Sequence, residues 1–109
     1  MTAFQTEYDF ELPRGYIDES GNLHKQGRMR LATARDEIEP LQDPQTQQNP
    51  AYLAVVILSR VVIRLGNLNG TGGITPNVIQ NLFAADFAYL QDLYNEINSV
   101  DGQAPPGEA

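Results

Sequence analysis

The sequence predicts an α+β fold: a small N-terminal antiparallel β-sheet (a hairpin), a short helix, and a C-terminal two-helix hairpin. Three observations lead to this prediction. Apolar and polar residues alternate over residues 4–12 and again over 27–32, which indicates half-buried strands. Residues 50–65 are apolar on nearly every side of a helix. In residues 76–98 apolar side chains recur with the 3.6-residue period of an amphipathic helix.

The N-terminal part of the chain is predicted to form strands. The large residues in 4–12 are expected on one face of the first strand, with polar residues on the other. A Pro-Arg-Gly sequence at 13–15 breaks or kinks this strand. Residues 16–24 have the turn chemistry of a hairpin, and 27–32 supply a further strand. The residues expected to face inward from the first strand are Phe4, Tyr8, Phe10 and Leu12.

The first two helices are defined by residues that favour helix ends. Thr33 and Asp36 have the spacing of a capping box, so a short helix is expected to begin there and to stop at Pro40. An Asn-Pro pair at 49–50 begins the apolar helix, and Gly66 ends it. The β-branched residues of this segment would also suit a strand, but its length and its two caps favour a helix.

The remaining boundaries follow from composition. A Thr-Pro pair at 75–76 opens the last helix, and the glycine-rich residues 67–73 are expected to be a flexible connector. Residues 1–98 are predicted to be a single α+β domain, and residues 99–109 a disordered C-terminal tail.

Composition limits the possible partners and compartments. The net charge of −7 argues against nucleic acid and against an anionic membrane surface, and it favours a basic protein partner. The unbroken apolar run at 51–58 is too short to span a bilayer. The absence of cysteine excludes disulfides and thiolate metal sites and fits a reducing cytosol. With no signal peptide recognisable at the N-terminus, we expect a cytoplasmic protein.

No catalytic or metal-binding pattern is recognisable. His24 is the sole histidine, and metal sites need several convergent ligands. The acidic pairs at 18–19 and 36–37 are better explained as solvated faces than as acid/base groups. The glycines at 70–73 lack the lysine of a phosphate-binding loop. We therefore expect no enzyme activity, no cofactor and no metal.

Three charged residues fall on or near apolar helix faces. Arg60 and Arg64 lie four residues apart, hence on one face of the apolar helix, and Asp86 falls on the apolar stripe of the last helix. Because a buried unpaired carboxylate is costly, one hypothesis is that Asp86 pairs with Arg60 or Arg64 across the helical hairpin. The alternative is a rim position where Asp86 reaches water.

The apolar helix is the candidate partner-binding element, since a helix that is hydrophobic all round must be covered all round. One interpretation is that the sheet covers its second side and the monomer is complete. The other is that a homo-oligomer or a helical client segment covers it, in the helix-in-groove manner. The candidate partner-binding residues are Tyr52, Val55, Val56 and Val62.

Five segments give the chain a resemblance to a known family. They are FELPRGY at 10–16, MRLATARDEI at 29–38, NPAYL at 49–53, LSRVV at 58–62 and LFAADFAYLQ at 82–91. In these segments the chain resembles the small tail assembly proteins, or tail assembly chaperones, of contractile-tailed phages and related contractile injection systems.

The resemblance implies a non-enzymatic role and supplies no catalytic residues. Such proteins are thought to bind the long, helix-rich tape-measure protein and keep it soluble before the tail tube polymerises around it. An expected protein partner is thus a tape-measure-like client or another tail component. The alternative is a structural subunit, such as a baseplate or tube component, that is retained in the finished particle.

Overall fold

The computed structural model describes residues 5–69 and 73–99, and it confirms the α+β fold. Strands β1 (Glu7–Ile17) and β2 (Leu23–Arg30) precede helix α1 (Ala34–Ile38), a 3₁₀ turn (Glu39–Gln42) and helix α2 (Pro44–Gln48). Helix α3 (Tyr52–Val61) leads into strands β3 (Val62–Leu65) and β4 (Leu68–Asn69), which helices α4 (Pro76–Gln80) and α5 (Ala84–Asn98) follow. The predictions for Phe4, for the connector residues 70–72 and for the tail residues 100–109 lie outside the described residues.

The strands form one antiparallel sheet in the order β1-β2-β3-β4. Strand β1 does not stop at Pro13: it continues to Ile17 through an irregularity between Glu11 and Tyr16, where its register with β2 shifts. A bulge is a place where a strand tolerates proline, and Gly15 adopts a φ of 104° that favours glycine. The bulge leaves backbone N–H groups of β1 free to bond elsewhere.

The predicted helix over 50–65 is wrong in its last four residues. The helix ends at Val61, and Val62 turns to extended backbone with φ −79° and ψ 106°. Strand β3 then pairs with β2, with Val62 opposite Met29 and Leu65 opposite Gly27. The β-branched residues at 61–63 suit a strand as well as a helix, so pairing with β2 decides the outcome.

The predicted last helix over 76–98 is interrupted. Helix α4 begins at Pro76 after Thr75, whose hydroxyl oxygen accepts the N–H of Val78 at 3.3 Å, and ends at Gln80. Helix α5 begins after Phe83, whose backbone is extended. The break leaves the apolar spacing intact, so the sequence pattern does not reveal it.

The core lies between the inner face of the sheet and helices α3, α4 and α5. Leu12 on β1, Met29 on β2 and Val61 on α3 have no solvent exposure. The other buried apolar residues are Phe10, Tyr16, Leu58, Val62, Leu65, Ile74, Val78, Ile79, Leu82 and Leu90. Both segments of the interrupted last helix therefore contribute to one core.

The β3–β4 turn is tightly packed at Gly66. This residue has a φ of 57°, and a Cβ atom there would overlap the His24 ring. We expect Gly66→Ala to lower the free energy of unfolding by about 2–4 kcal/mol, through backbone strain and overpacking together. Urea denaturation measures the effect.

Gly21 provides the matched control, because it also has a positive φ, of 87°, but no atom lies within 4 Å of the position that a Cβ would take. Gly21→Ala should cost about 1 kcal/mol, the strain alone. Equal losses for the two variants would mean that the contact between Gly66 and His24 is unimportant.

Candidate functional site: the groove between α3 and α5 and the charged groups around it

Asp86 is completely buried in the first turn of α5. Its Oδ1 accepts the backbone N–H of Arg14 at 2.8 Å, and its Oδ2 accepts the N–H of Gly15 at 3.0 Å. Both donors belong to the β1 bulge. The predicted pairing of Asp86 with Arg60 or Arg64 is therefore wrong, and so is the alternative of a rim position, because two N–H groups satisfy a carboxylate that no water reaches.

Arg60 instead binds Asp36, a buried residue of α1. Arg60 donates from Nε to Asp36 Oδ1 at 3.1 Å and from Nη2 to Glu39 at 2.7 Å. Arg30 of β2 donates to both oxygens of Asp36, at 2.7 and 3.0 Å. The Thr33 N–H completes the set at 2.8 Å, which confirms this part of the predicted capping interaction.

This arrangement, the Asp36 network, joins β2, α1 and α3. The bidentate hydrogen bonds from Arg30 are the main reason that the pKa of Asp36 lies well below its usual range, and the N–H of Thr33 and the guanidinium of Arg60 act in the same direction. The sequence spacing indicates the Thr33–Asp36 contact. It gives no signal for the two arginines, which come from a strand and from another helix.

Arg64 lies on β3 and not on a helix, so it does not share a face with Arg60. It is exposed on the outer face of the sheet, directly opposite Arg28 of β2. Arg28 forms ion pairs with Asp9 at 2.8 Å and with Glu7 at 3.3 Å. Arg64 itself forms no ion pair within residues 5–69 and 73–99.

The four predicted partner-binding residues have different environments. Val62 is 1% exposed and belongs to the core, so its prediction as a binding residue is wrong; pairing of β3 with β2 buries it. Val55 is half-buried and packs against the core. Tyr52 and Val56 are half-buried and lie outside the core cluster. Their binding role stays a prediction.

The N-terminal half of α3 has an apolar face that the core does not take up. Leu53, Ala54, Val56 and Ile57 are half-buried, and none of them belongs to the core cluster. Their spacing of three and four residues places them side by side on the helix. We call these four residues the α3 surface.

Beside the α3 surface, helices α3 and α5 enclose a groove of about 160 Å³. Cavities of roughly 150 Å³ accept benzene, so the groove has room for one large apolar side chain. Its lining residues are Ala54, Ile57, Leu58, Gln91, Tyr94 and Asn95. None of the six is among the predicted partner-binding residues, although the small Ala54 within a run of large apolar residues can indicate a recess.

Tyr94 borders the groove and is held in place by a second helix. Its hydroxyl donates a short hydrogen bond to the Glu37 carboxylate of α1. Burial is the main reason that the pKa of Tyr94 is raised above its usual value, and the contact with Glu37 adds to it. Tyr94 therefore stays a neutral donor, and its hydroxyl joins α5 to α1.

No family model, curated protein or solved structure matches the chain. Among the described helices, none combines the length and the apolar character that a bilayer span needs. Residues 5–69 and 73–99 contain no group of three or more His, Asp or Glu side chains placed to hold a metal ion.

His24 has a structural partner. Its ring is 5% exposed, and its Nε2 lies 2.8 Å from Asp18 Oδ2. Asp18 Oδ1 also accepts the N–H groups of Ser20 and Asn22, each at 2.9 Å, so this carboxylate organises the β1–β2 turn. The contact with His24 is the largest cause that lowers the pKa of Asp18 to about 2.

Removal of the Asp86 carboxylate tests its role. Asp86→Ala leaves two backbone N–H groups of the bulge without an acceptor, which should lower the free energy of unfolding by about 2–4 kcal/mol. Asp86→Asn keeps one acceptor oxygen and should cost less. Urea denaturation measures both variants. Asp92→Ala, on the exposed side of the same helix, is the control and should change stability by less than about 0.5 kcal/mol. An equally small effect of Asp86→Ala would contradict the assigned role.

The Asp18–His24 contact predicts a dependence of stability on pH. A folded-state pKa of about 2, below the ordinary value of 3.8, means stabilisation that is present above about pH 4 and lost as the pH falls to about 2. Asp18→Asn should therefore flatten the fall in unfolding free energy across that interval, measured by urea denaturation at several pH values. Glu19→Gln in the same turn is the control; if it flattened the curve as much as Asp18→Asn, the assignment to Asp18 would fail.

Proposed function

We propose that this protein is a non-enzymatic assembly chaperone that covers a helical segment of a tape-measure-like protein before a phage-like tail tube polymerises around it. The observation that carries the proposal is the α3 surface: Leu53, Ala54, Val56 and Ile57 are apolar, partly exposed and unused by the core. A contiguous apolar helix face beside a groove is a form of surface that binds partner helices. The resemblance to tail assembly chaperones supports the identity of the client.

The charge of the chain suits this role. A net charge of −7 favours solubility of the chain before the client covers its apolar surface. It also disfavours association of like-charged copies. These properties support a role in the cytoplasm as a carrier of an otherwise poorly soluble helix.

The charged groups that lie together support a role without catalysis. Asp36 is saturated by Arg30, Arg60 and Thr33. Asp18 holds the β1–β2 turn and the His24 ring. Each cluster therefore has a structural use that accounts for its residues.

The second candidate is a structural subunit retained in the particle, such as a baseplate or tube component. One observation favours it: Ile17 and Leu23, a cross-strand pair beside the β1–β2 turn, are 53% and 56% exposed. This pair lies on β1 and β2, whereas the α3 surface lies on a helix. A subunit that joins two neighbours needs more than one contact surface.

Co-expression with a tape-measure-like protein from the same genome tests the proposal. Size-exclusion chromatography with light scattering should detect a soluble complex with the wild-type chain. Leu53→Asp on the α3 surface should abolish the complex, because it places a charge in an apolar interface. Leu23→Asp, the same substitution in the exposed cross-strand pair, should leave the complex intact. Circular dichroism establishes that both variants remain folded.

The two candidates give different results. A complex that depends on Leu53 and not on Leu23, with the protein absent from purified particles, supports the chaperone. Failure of the wild-type chain to form a complex, with the protein present in the particles, supports the structural subunit. If formation of the complex depended on Leu23 and not on Leu53, the client would contact the chain beside the β1–β2 turn.

A further inference from the structure

We infer that the groove between α3 and α5 receives one large apolar side chain from an amphipathic client helix whose flanking positions carry lysine or arginine. This inference rests on the proposed function, since it names the chemistry of the client segment. Three features of the molecule support it: the shape of the groove, the backbone around it and the charges at its rim.

The shape of the groove fits a single anchor side chain. Leu58, which is 2% exposed, forms its floor, and the methyl group of Ala54 leaves the recess open on the α3 side. Tyr94 is fixed by Glu37, so this boundary is already in place before a partner arrives. At about 160 Å³ the groove accommodates the side chain of one leucine or phenylalanine.

The surroundings of the groove favour a helix over a strand as its occupant. Both walls are α-helices, Tyr52–Val61 and Ala84–Asn98, whose backbone groups bond within their own helix. An extended segment would find no strand edge in these walls and would leave its own N–H and C=O groups unpaired. A helix satisfies its own backbone. Leu53 and Val56 of α3 then contact further apolar side chains on the same face of the client helix.

The rim of the groove is acidic. Asp92 and Glu96 are exposed and each follows a groove residue, Gln91 or Asn95, by one position, so they lie on the solvent side of α5. Glu37 of α1 accepts the hydroxyl of Tyr94, which is a lining residue of the groove. Helix α5 contains no lysine or arginine.

Arg60, the basic residue of α3, is already paired with carboxylates. Arg60 is bound to Asp36 and Glu39 at 3.1 and 2.7 Å. Because Arg60 is paired and α5 has no base, Asp92 and Glu96 leave negative charge beside the apolar surface, and a complementary partner has positive flanks. A second copy of this chain is a poor occupant, because its own net charge is −7 and its α5 has the same acidic face.

Synthetic peptides of about 20 residues, long enough to form helices, test the anchor and the flanks. One carries a leucine stripe with lysine flanks, and the other has the same stripe with glutamate flanks. Fluorescence anisotropy should show binding of the lysine peptide that weakens as salt is raised, and binding of the glutamate peptide about tenfold weaker or more. Equal affinity for the two peptides would overturn the assignment of basic flanks.

Filling the groove tests its role as the anchor site. Ala54→Phe should weaken binding of the lysine peptide by about tenfold or more, because it occupies the space of the anchor side chain. Ala85→Phe, an exposed alanine near the start of α5, should change affinity less than about twofold. Gln91→Phe fills the recess from the α5 wall and gives the same readout if Ala54→Phe is unstable. Unchanged affinity in a folded groove-filling variant would refute the anchor.

Charge reversal tests the rim. The double variant Asp92→Lys with Glu96→Lys should weaken the lysine peptide about fivefold, the effect of two exposed charges. Glu11→Lys with Glu19→Lys changes the net charge by the same amount on β1 and in the β1–β2 turn, and it should have a smaller effect. Equal effects of the two double variants would mean that total charge, and not the rim, selects the peptide.

The full-length client separates this inference from the proposed function. A client complex with the wild-type chain that persists in Ala54→Phe refutes the groove and leaves the chaperone role standing. Absence of any client complex with the wild-type chain refutes the chaperone role. Peptide binding that Ala54→Phe abolishes would then still support the groove as a site for basic amphipathic helices.

Discussion

A carboxylate that no water reaches requires hydrogen-bond donors on both oxygens, and at Asp86 the β1 bulge supplies them. The dependence is mutual. Without α5 the N–H groups of Arg14 and Gly15 would lack a partner, and without the bulge Asp86 could not be buried. This contact joins residues that are 72 and 71 positions apart, and it sets where α5 lies on the sheet. Since Gln91, Tyr94 and Asn95 are carried by the same helix, the contact also positions one wall of the groove.

The other wall depends on the Asp36 network. Helix α3 is short, and its end continues directly into β3, so its C-terminal half is held by the sheet. Asp36 adds a lateral constraint, because Arg60 of α3 and Arg30 of β2 bind the same carboxylate. The two walls are thus fixed by two different buried carboxylates, and the hydrogen bond from Tyr94 to Glu37 joins α5 to α1. Groups held in this way lose little freedom when a partner binds, which favours recognition by a preformed recess.

The elements set by local pattern could be predicted from the sequence, and those set by distant partners could not. Alternation indicated β1 and β2, and the spacing of Thr33 and Asp36 indicated α1. Residues 61–65 suit a helix or a strand, and pairing with β2 decides between them. The acceptor role of Asp86 arises from a bulge at the other end of the sequence. The hypothesis that Arg64 pairs with Asp86 requires Arg64 to lie on the same helix as Arg60, and pairing with β2 places it on a strand instead.

The unusual apolar character of residues 50–65 has two causes that the structure separates. Val61, Val62 and Leu65 are apolar because the sheet and the core enclose them. Leu53, Val56 and Ile57 lie outside the core cluster and keep partial exposure. Packing in the core and the sheet therefore accounts for the second half of the segment and, in the first half, for Val55. The first half lies beside the acidic helix α5, and the proposed selection of a basic helical partner follows from this combination of apolar contact and charge.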